Sequence, residues 1–147
     1  MKKDVLLSIC STQQFEGCDE EKIDLMTEAR LYERGGKFYI SYEESELTGL
    51  VGTRTTVKID GDTVTMMRTG TYPSEMIFGK NQRHVGLYHT EFGAITISTH
   101  TNELKNAINE DGGELEIDYT VEVDQSMIGN HHFRMIVKPT GQDLDEK

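Results

Sequence analysis

The segment Leu115-Glu-Ile117-Asp-Tyr119-Thr-Val121-Glu-Val123 places an apolar residue at every odd position and a polar one at every even position. A period of two fits a strand with one wet face and one buried face, and does not fit a helix, whose apolar positions recur every 3.6 residues. The same rule covers most of the chain. Val5, Leu7 and Ile9 alternate with Leu6, Ser8 and Cys10, and Ile23, Leu25, Thr27, Ala29 and Leu31 alternate with Asp24 to Tyr32. Further inward sets are Phe38/Ile40/Tyr42, Thr55/Val57/Ile59, Val64/Met66/Arg68, Met76/Phe78, Val85/Leu87/His89, Ile95/Ile97/Thr99 and Phe133/Met135/Val137.

Turn chemistry punctuates these runs at Gly35-Gly36, Asp60-Gly61-Asp62, Gly79-Lys80-Asn81, Phe92-Gly93, Gly112-Gly113 and Gly129-Asn130. Such pairs between alternating runs are hairpin signals. Pro73 and Pro139 fall outside strand interiors, where proline would remove a ladder bond. One segment departs from the rule. Thr101 to Glu110 reads as a short helix capped by Thr101, with Leu104, Ala107 and Ile108 on one face, or else as a long loop.

Nine or ten strands with hairpin-sized connections leave a sandwich or a closed barrel. The barrel is favoured, because the strands are long, the connections suit an up-and-down meander, and the inward sets include polar groups. The expected fold is therefore all-β, a closed antiparallel barrel of about 8–10 strands with at most one short helix. With 147 residues and no repeat or linker, one domain over residues 1–139 is expected, followed by a frayed acidic tail over 140–147.

Composition narrows the function classes. The net charge of −11, from 26 acidic and 15 basic side chains, argues against nucleic acid and anionic membranes as partners. Cys10 and Cys18 show no metal spacing and read as reduced thiols. The apolar stretch Val5 to Ile9 is too short for a secretory or spanning segment, so the expected location is cytoplasmic.

Five segments in order carry a resemblance: Tyr39-Ile-Ser-Tyr42-Glu43-Glu44, Thr55 to Ile59, Val64-Thr-Met-Met-Arg68-Thr-Gly70, Tyr88-His-Thr90-Glu-Phe92-Gly93, and Gly113 to Tyr119. Their order and spacing resemble the YwiB-like family of small bacterial proteins, over roughly Val5 to Pro139. The resemblance implies a calycin-like (lipocalin-like) barrel in an intracellular setting, and hardly any chemistry. Similar chains often read Tyr-x-Thr-Pro-x-Gly where this one has Tyr88-His-Thr90-Glu91-Phe92-Gly93, so the rim there is expected to differ.

Arg68 is the most informative position. Alternation puts its permanently charged guanidinium on the face of Val64 and Met66, where it needs a carboxylate, carbonyls or a bound anion. One reading is an internal ion pair with Glu43, Glu44 or Glu75. Another is a clamp for a carboxylate or phosphate ligand. A third is a register slip at Gly70 that exposes it. Tyr42, Tyr119, Thr27 and Thr99 also fall on inward faces and, with Arg68, form the candidate ligand-binding set.

No metal or cofactor is expected. His131 and His132 are adjacent and point to opposite faces, and His84 and His100 are read as sharing one. No Gly-x-Ser-x-Gly or phosphate loop is present, so no catalytic residue is assigned and an enzyme is disfavoured. Two functions compete. One is a barrel binding a small anionic or amphipathic molecule. The other is a structural or protein-interaction barrel with a filled core, presenting Leu6, Met26, Tyr32, Tyr39, Met67 and Ile77 to a partner or in a homodimer.

Overall fold

The computed structural model describes residues 2–45, 50–71, 73–90, 93–123 and 127–143. They form ten strands: β1 (Lys2–Phe15), β2 (Glu21–Arg34), β3 (Lys37–Glu43), β4 (Thr53–Asp60), β5 (Thr63–Gly70), β6 (Ser74–Gly79), β7 (Arg83–Thr90), β8 (Gly93–Asn109), β9 (Gly112–Val123) and β10 (Met127–Asp143). All are antiparallel in one sheet, ordered β6-β5-β4-β3-β2-β1-β10-β9-β8-β7, which curls into a nearly closed barrel. The meander is thus closed by its terminal strands, β1 against β10. The seam falls between two consecutive strands, β6 and β7.

The seam is tied at one end. Gln82 N–H donates to Gly79 O at 2.8 Å, while Asn81 N–H donates to Thr101 O and Thr101 N–H to Gln82 O, both at 3.0 Å. Further along, a side chain at Gly86 would sit 3.3 Å from the carbonyl oxygen of Glu75, so β6 approaches β7 closely there. That approach accounts for a correction to the expected facing of β7. Val85 and Leu87 point outward, 58% and 57% exposed, while His84, Gly86 and Tyr88 face inward.

The expected helix or loop at Thr101 to Glu110 is instead the second half of β8. A bulge between Thr101 and Glu103 shifts its register against β9, which brings Leu104 opposite Ile117 and Ile108 opposite Gly113. The extra residue sets inward Thr101 and Leu104 three apart, as on a helix, whereas Leu104 and Ile108 keep the period of two and Ala107 faces out. Two expected turns also lie within strands. Gly112 and Gly113 open β9, with Glu110 and Asp111 making the turn, and Gly129 and Asn130 belong to β10. Gly113 has φ +130°, and a Cβ there would meet the Ala107 carbonyl oxygen at 1.9 Å, so only glycine fits. β10 continues past Pro139, which sits opposite a register shift in β1, and pairs Asp143 with Lys3. Residues 144–147 of the expected tail lie outside the described residues.

The inward residues form one core, but they do not fill the barrel evenly. At one end Val5, Leu7, Leu31, Ile40, Val57, Val64, Phe78, Leu115, Ile117 and Met135 are fully buried against one another. Burying each such side chain contributes roughly 1.5–3 kcal/mol. The turn between β4 and β5 lies over this end, where the Asn106 side-chain amide donates to Gly61 O at 3.0 Å. At the other end the walls part. β2 pairs with β3 only from Arg30 to Arg34, although it runs from Glu21. Beyond Arg30 the two strands diverge, and facing side chains no longer meet.

Candidate functional site

The divergent end opens into a cavity of about 290 Å³. Strand register builds its polar wall. Tyr42 on β3 lies opposite Thr55 on β4, Thr55 opposite Arg68 on β5, and Arg68 opposite Ser74 on β6. Just past Tyr42, the Glu44 backbone N–H donates to Thr53 O at 2.9 Å, which holds the chain in line and turns the Glu44 side chain inward. That side chain is 2% exposed, and its Oε2 accepts a short hydrogen bond from the Thr55 hydroxyl.

Arg68 is 21% exposed on its side chain, with Nε 3.8 Å from Glu44 Oε2. Of the partners foreseen for it, Glu44 is the one present. Glu43 faces out and pairs with Arg54 at 2.5 Å. The pairing leaves Arg68 incompletely satisfied. Its Nε is buried and makes no hydrogen bond among the described residues, and one terminal nitrogen contacts only the Met66 thioether, at 3.7 Å. A guanidinium carries five donors in a fixed fork, and burying a donor without an acceptor costs about 1–3 kcal/mol.

Three tyrosines flank this arginine. Tyr42 hydrogen-bonds with Thr55 and Glu44; burial first, then the Glu44 charge, pushes its hydroxyl pKa up, against a pull from Arg68. Burial likewise raises Tyr88 to about 12 and Tyr119 well above its ordinary value, Arg68 opposing in both cases. All three hydroxyls are therefore neutral hydrogen-bonding groups at neutral pH. The Tyr119 ring also makes a floor, 4.7 Å from the Phe78 ring beneath it.

The opposite wall comes from β1 and β10. Ser11, Gln13 and Phe15 alternate inward on β1, with Phe133 opposite Ser11 and His131 opposite Gln13. His131 sits between rings, 5.0 Å from Tyr119 and 5.7 Å, edge to face, from Phe15. Burial holds its pKa down to about 4, so the imidazole is neutral. Its Nε2 is buried and unpartnered among the described residues. Met66, Met76, Ile97, Val121 and Val123 supply the apolar lining.

The candidate residues divide accordingly. Arg68, Tyr42 and Tyr119 line the cavity. Thr27 and Thr99 lie on inward faces but outside its lining, Thr27 with its hydroxyl 3.4 Å from Glu28 O and Thr99 buried in the wall. Sequence reasoning passed over Tyr88 and His131 as ligand contacts. The alternation of Phe133, Met135 and Val137, extended by one step, already points His131 inward. His132 correspondingly faces out, between Glu116 at 2.9 Å and Asp118. His84 and His100 do not share a face. His84 lies opposite buried Thr99, and His100 points out to Asn102.

A second cleft, of about 600 Å³, opens on the outside where β2 and β3 part. Four of its charges pair off, Arg30 with Asp4 at 3.8 Å and Arg54 with Glu43, and with Glu28 the lining carries one more acid than bases. Of the residues foreseen as an outer patch, Met26 is 65% exposed, while Leu6, Tyr32, Tyr39, Met67 and Ile77 are half-buried, with Tyr32 and Tyr39 stacked 5.0 Å apart.

Comparison with known proteins gives consistent results. A model of the family described as a domain of unknown function (DUF1934) matches residues 7–135. The uncharacterized β-barrel protein YwiB of Bacillus subtilis (strain 168) is 27% identical over 119 residues, covering 81% of this chain and 82% of that protein. The crystal structure of the ywiB protein from Bacillus subtilis superimposes with a TM-score of 0.78 at 22% identity, over 92% of each chain.

Proposed function

This chain belongs to the DUF1934 family, and we propose that its barrel is a binding module for a small organic anion with an apolar body, held in the interior cavity. The observation that carries the reading is the buried Nε of Arg68, which makes no hydrogen bond among the described residues, on the wall of an otherwise largely apolar cavity. A ligand carboxylate would take up the donor capacity that Glu44 leaves unused, and the guanidinium fork matches a carboxylate in shape. Tyr42, Tyr88 and Tyr119 orient the bound group, while the methionine and aliphatic lining takes its apolar body. At about 290 Å³ the space lies at the lower end of ligand pockets, which run roughly 300–1,000 Å³. A small aryl or short-chain acid fits that size class.

Calorimetric titration with 3-phenylpropionate and its neutral analogue 3-phenylpropanol tests this. Hydrogen bonds to charged groups contribute about 1.5–3 kcal/mol, so the acid should bind roughly 10- to 100-fold more tightly than the alcohol. Arg68→Met should abolish the difference, and Arg68→Lys should retain part of it, with circular dichroism confirming that each variant is folded. Equal affinity of acid and alcohol for the unaltered protein, or an acid preference that survives Arg68→Met, would overturn the proposal.

A further inference from the structure

We infer that His131 is a second anchor, and that the ligand class is a monocarboxylate bearing a neutral hydrogen-bonding group, such as a hydroxyl, at the end remote from its carboxylate. The inference rests on the carboxylate reading of Arg68 given above. Its own ground is the position of His131. In the strand order β6-β5-β4-β3-β2-β1-β10-β9-β8-β7, β5 and β10 stand five places apart in a ring of ten. Arg68 and His131 therefore project into one cavity from opposite walls.

Each brings a buried polar nitrogen that makes no hydrogen bond among the described residues, Nε of Arg68 and Nε2 of His131. Both side chains line that cavity, and a molecule polar at both ends that displaces the apolar contacts covering the two nitrogens would satisfy them together. The rings around His131 define what reaches it. Phe15 meets it edge to face and Tyr119 lies against it, so the imidazole plane is fixed and its Nε2 edge is a directed group. A neutral imidazole donates from one nitrogen and accepts at the other, and a hydroxyl can serve either role. A second carboxylate could take one N–H hydrogen bond from the neutral imidazole, but its charge would go unneutralised, because burial opposes charging the ring. The selectivity thus runs towards hydroxy acids and away from dicarboxylates.

The test compares 3-phenylpropionate with its ortho-, meta- and para-hydroxylated forms and with a dicarboxylate of the same length, by calorimetry on the whole chain. One well-formed hydrogen bond contributes about 0.5–1.5 kcal/mol, so at least one hydroxy acid should bind roughly 2- to 10-fold more tightly than the parent acid. The dicarboxylate should bind more weakly than the parent. His131→Phe should erase the hydroxyl preference while leaving the preference for acid over alcohol intact, and His131→Asn, which keeps a hydrogen-bonding group, should restore part of it. If the parent acid binds and no hydroxylated form improves on it, or if the preference survives His131→Phe, the second anchor is overturned while the Arg68 site stands. If none of the acids binds, both readings fall.

Discussion

Removing Arg68 tests how the cavity wall is held. Arg68 Nε and Glu44 Oε2 are 3.8 Å apart, and the Glu44 side chain is 2% exposed. At that separation and an effective dielectric near 20, the gross attraction is about 4 kcal/mol, most of it offset by desolvation of both groups. Breaking a fully buried pair from one side costs about 3–5 kcal/mol. Here Arg68 is 21% exposed, and Glu44 keeps its hydrogen bond from Thr55, so Arg68→Met should cost less, about 2 kcal/mol. Glu44→Gln should cost about 1–2 kcal/mol by the same reasoning. The double variant should be more stable than the sum of the two losses implies, with a coupling of about 1–2 kcal/mol. Urea unfolding followed by far-ultraviolet circular dichroism measures all four free energies, with an unchanged slope showing that the compared states are the same. Losses that add to within about 0.5 kcal/mol would refute the coupling. Glu44 would then be held by Tyr42 and Thr55 without help from Arg68, and the arginine would have no structural role to explain it.

Three further outcomes follow from the geometry. Gly113→Ala should lose at least about 3 kcal/mol in the same unfolding assay, because its Cβ would overlap the Ala107 carbonyl oxygen at 1.9 Å, whereas Gly61→Ala, at φ +60° in open space, should lose about 1 kcal/mol; similar losses would refute the close approach of β8 and β9. Phe78→Ala should cost about 3–5 kcal/mol, since that ring is fully buried beneath Tyr119, and a loss under about 1 kcal/mol would mean that the floor is not packed as described. His131 binds a proton near pH 6.5 in the unfolded chain but only near 4 when folded, so stability is full above about pH 6.5 and falls as pH drops towards 4. Allowing for partial exposure, the fall should be about 1–2 kcal/mol, and His131→Phe should flatten the pH profile by that amount; an unchanged profile would refute the burial of the imidazole.

The barrel was legible because period-two alternation is a local property that survives in every strand with one buried face. It failed where a local count met a non-local constraint. At Thr101 a bulge inserts one residue, so Thr101 and Leu104 stand three apart as on a helix, and the outward-facing Ala107 completes a false helical face with Leu104 and Ile108. At Val85 and Leu87 the apolar residues were assigned inward, since apolar side chains are usually the buried ones. In the structure the close approach of β6 requires the residue without a side chain, Gly86, to face in, and its neighbours Val85 and Leu87 must face out. Gly112 and Gly113 misled for a related reason. A glycine pair signals a turn, but here it serves the crowding of three backbones at the start of β9.

The site was legible only as a set of inward residues. Alternation places Arg68, Tyr42 and Tyr119 on buried faces, but it is silent on which of them share a cavity, because that depends on height along the barrel and on strand order. Thr27 and Thr99 satisfy the same alternation, yet neither lines the cavity. What opens the cavity is the length over which neighbours stay paired. β2 keeps β3 beside it only from Arg30 to Arg34, so every level beyond Arg30 is wider than the levels beneath it. Apolar side chains that meet across the narrow end cannot meet across the wide one, and the arginine, tyrosines and histidine stand where the core is unable to close. The cavity is thus a consequence of an early strand divergence, and lengthening the β2–β3 pairing past Arg30 should close it before any of its lining residues is changed.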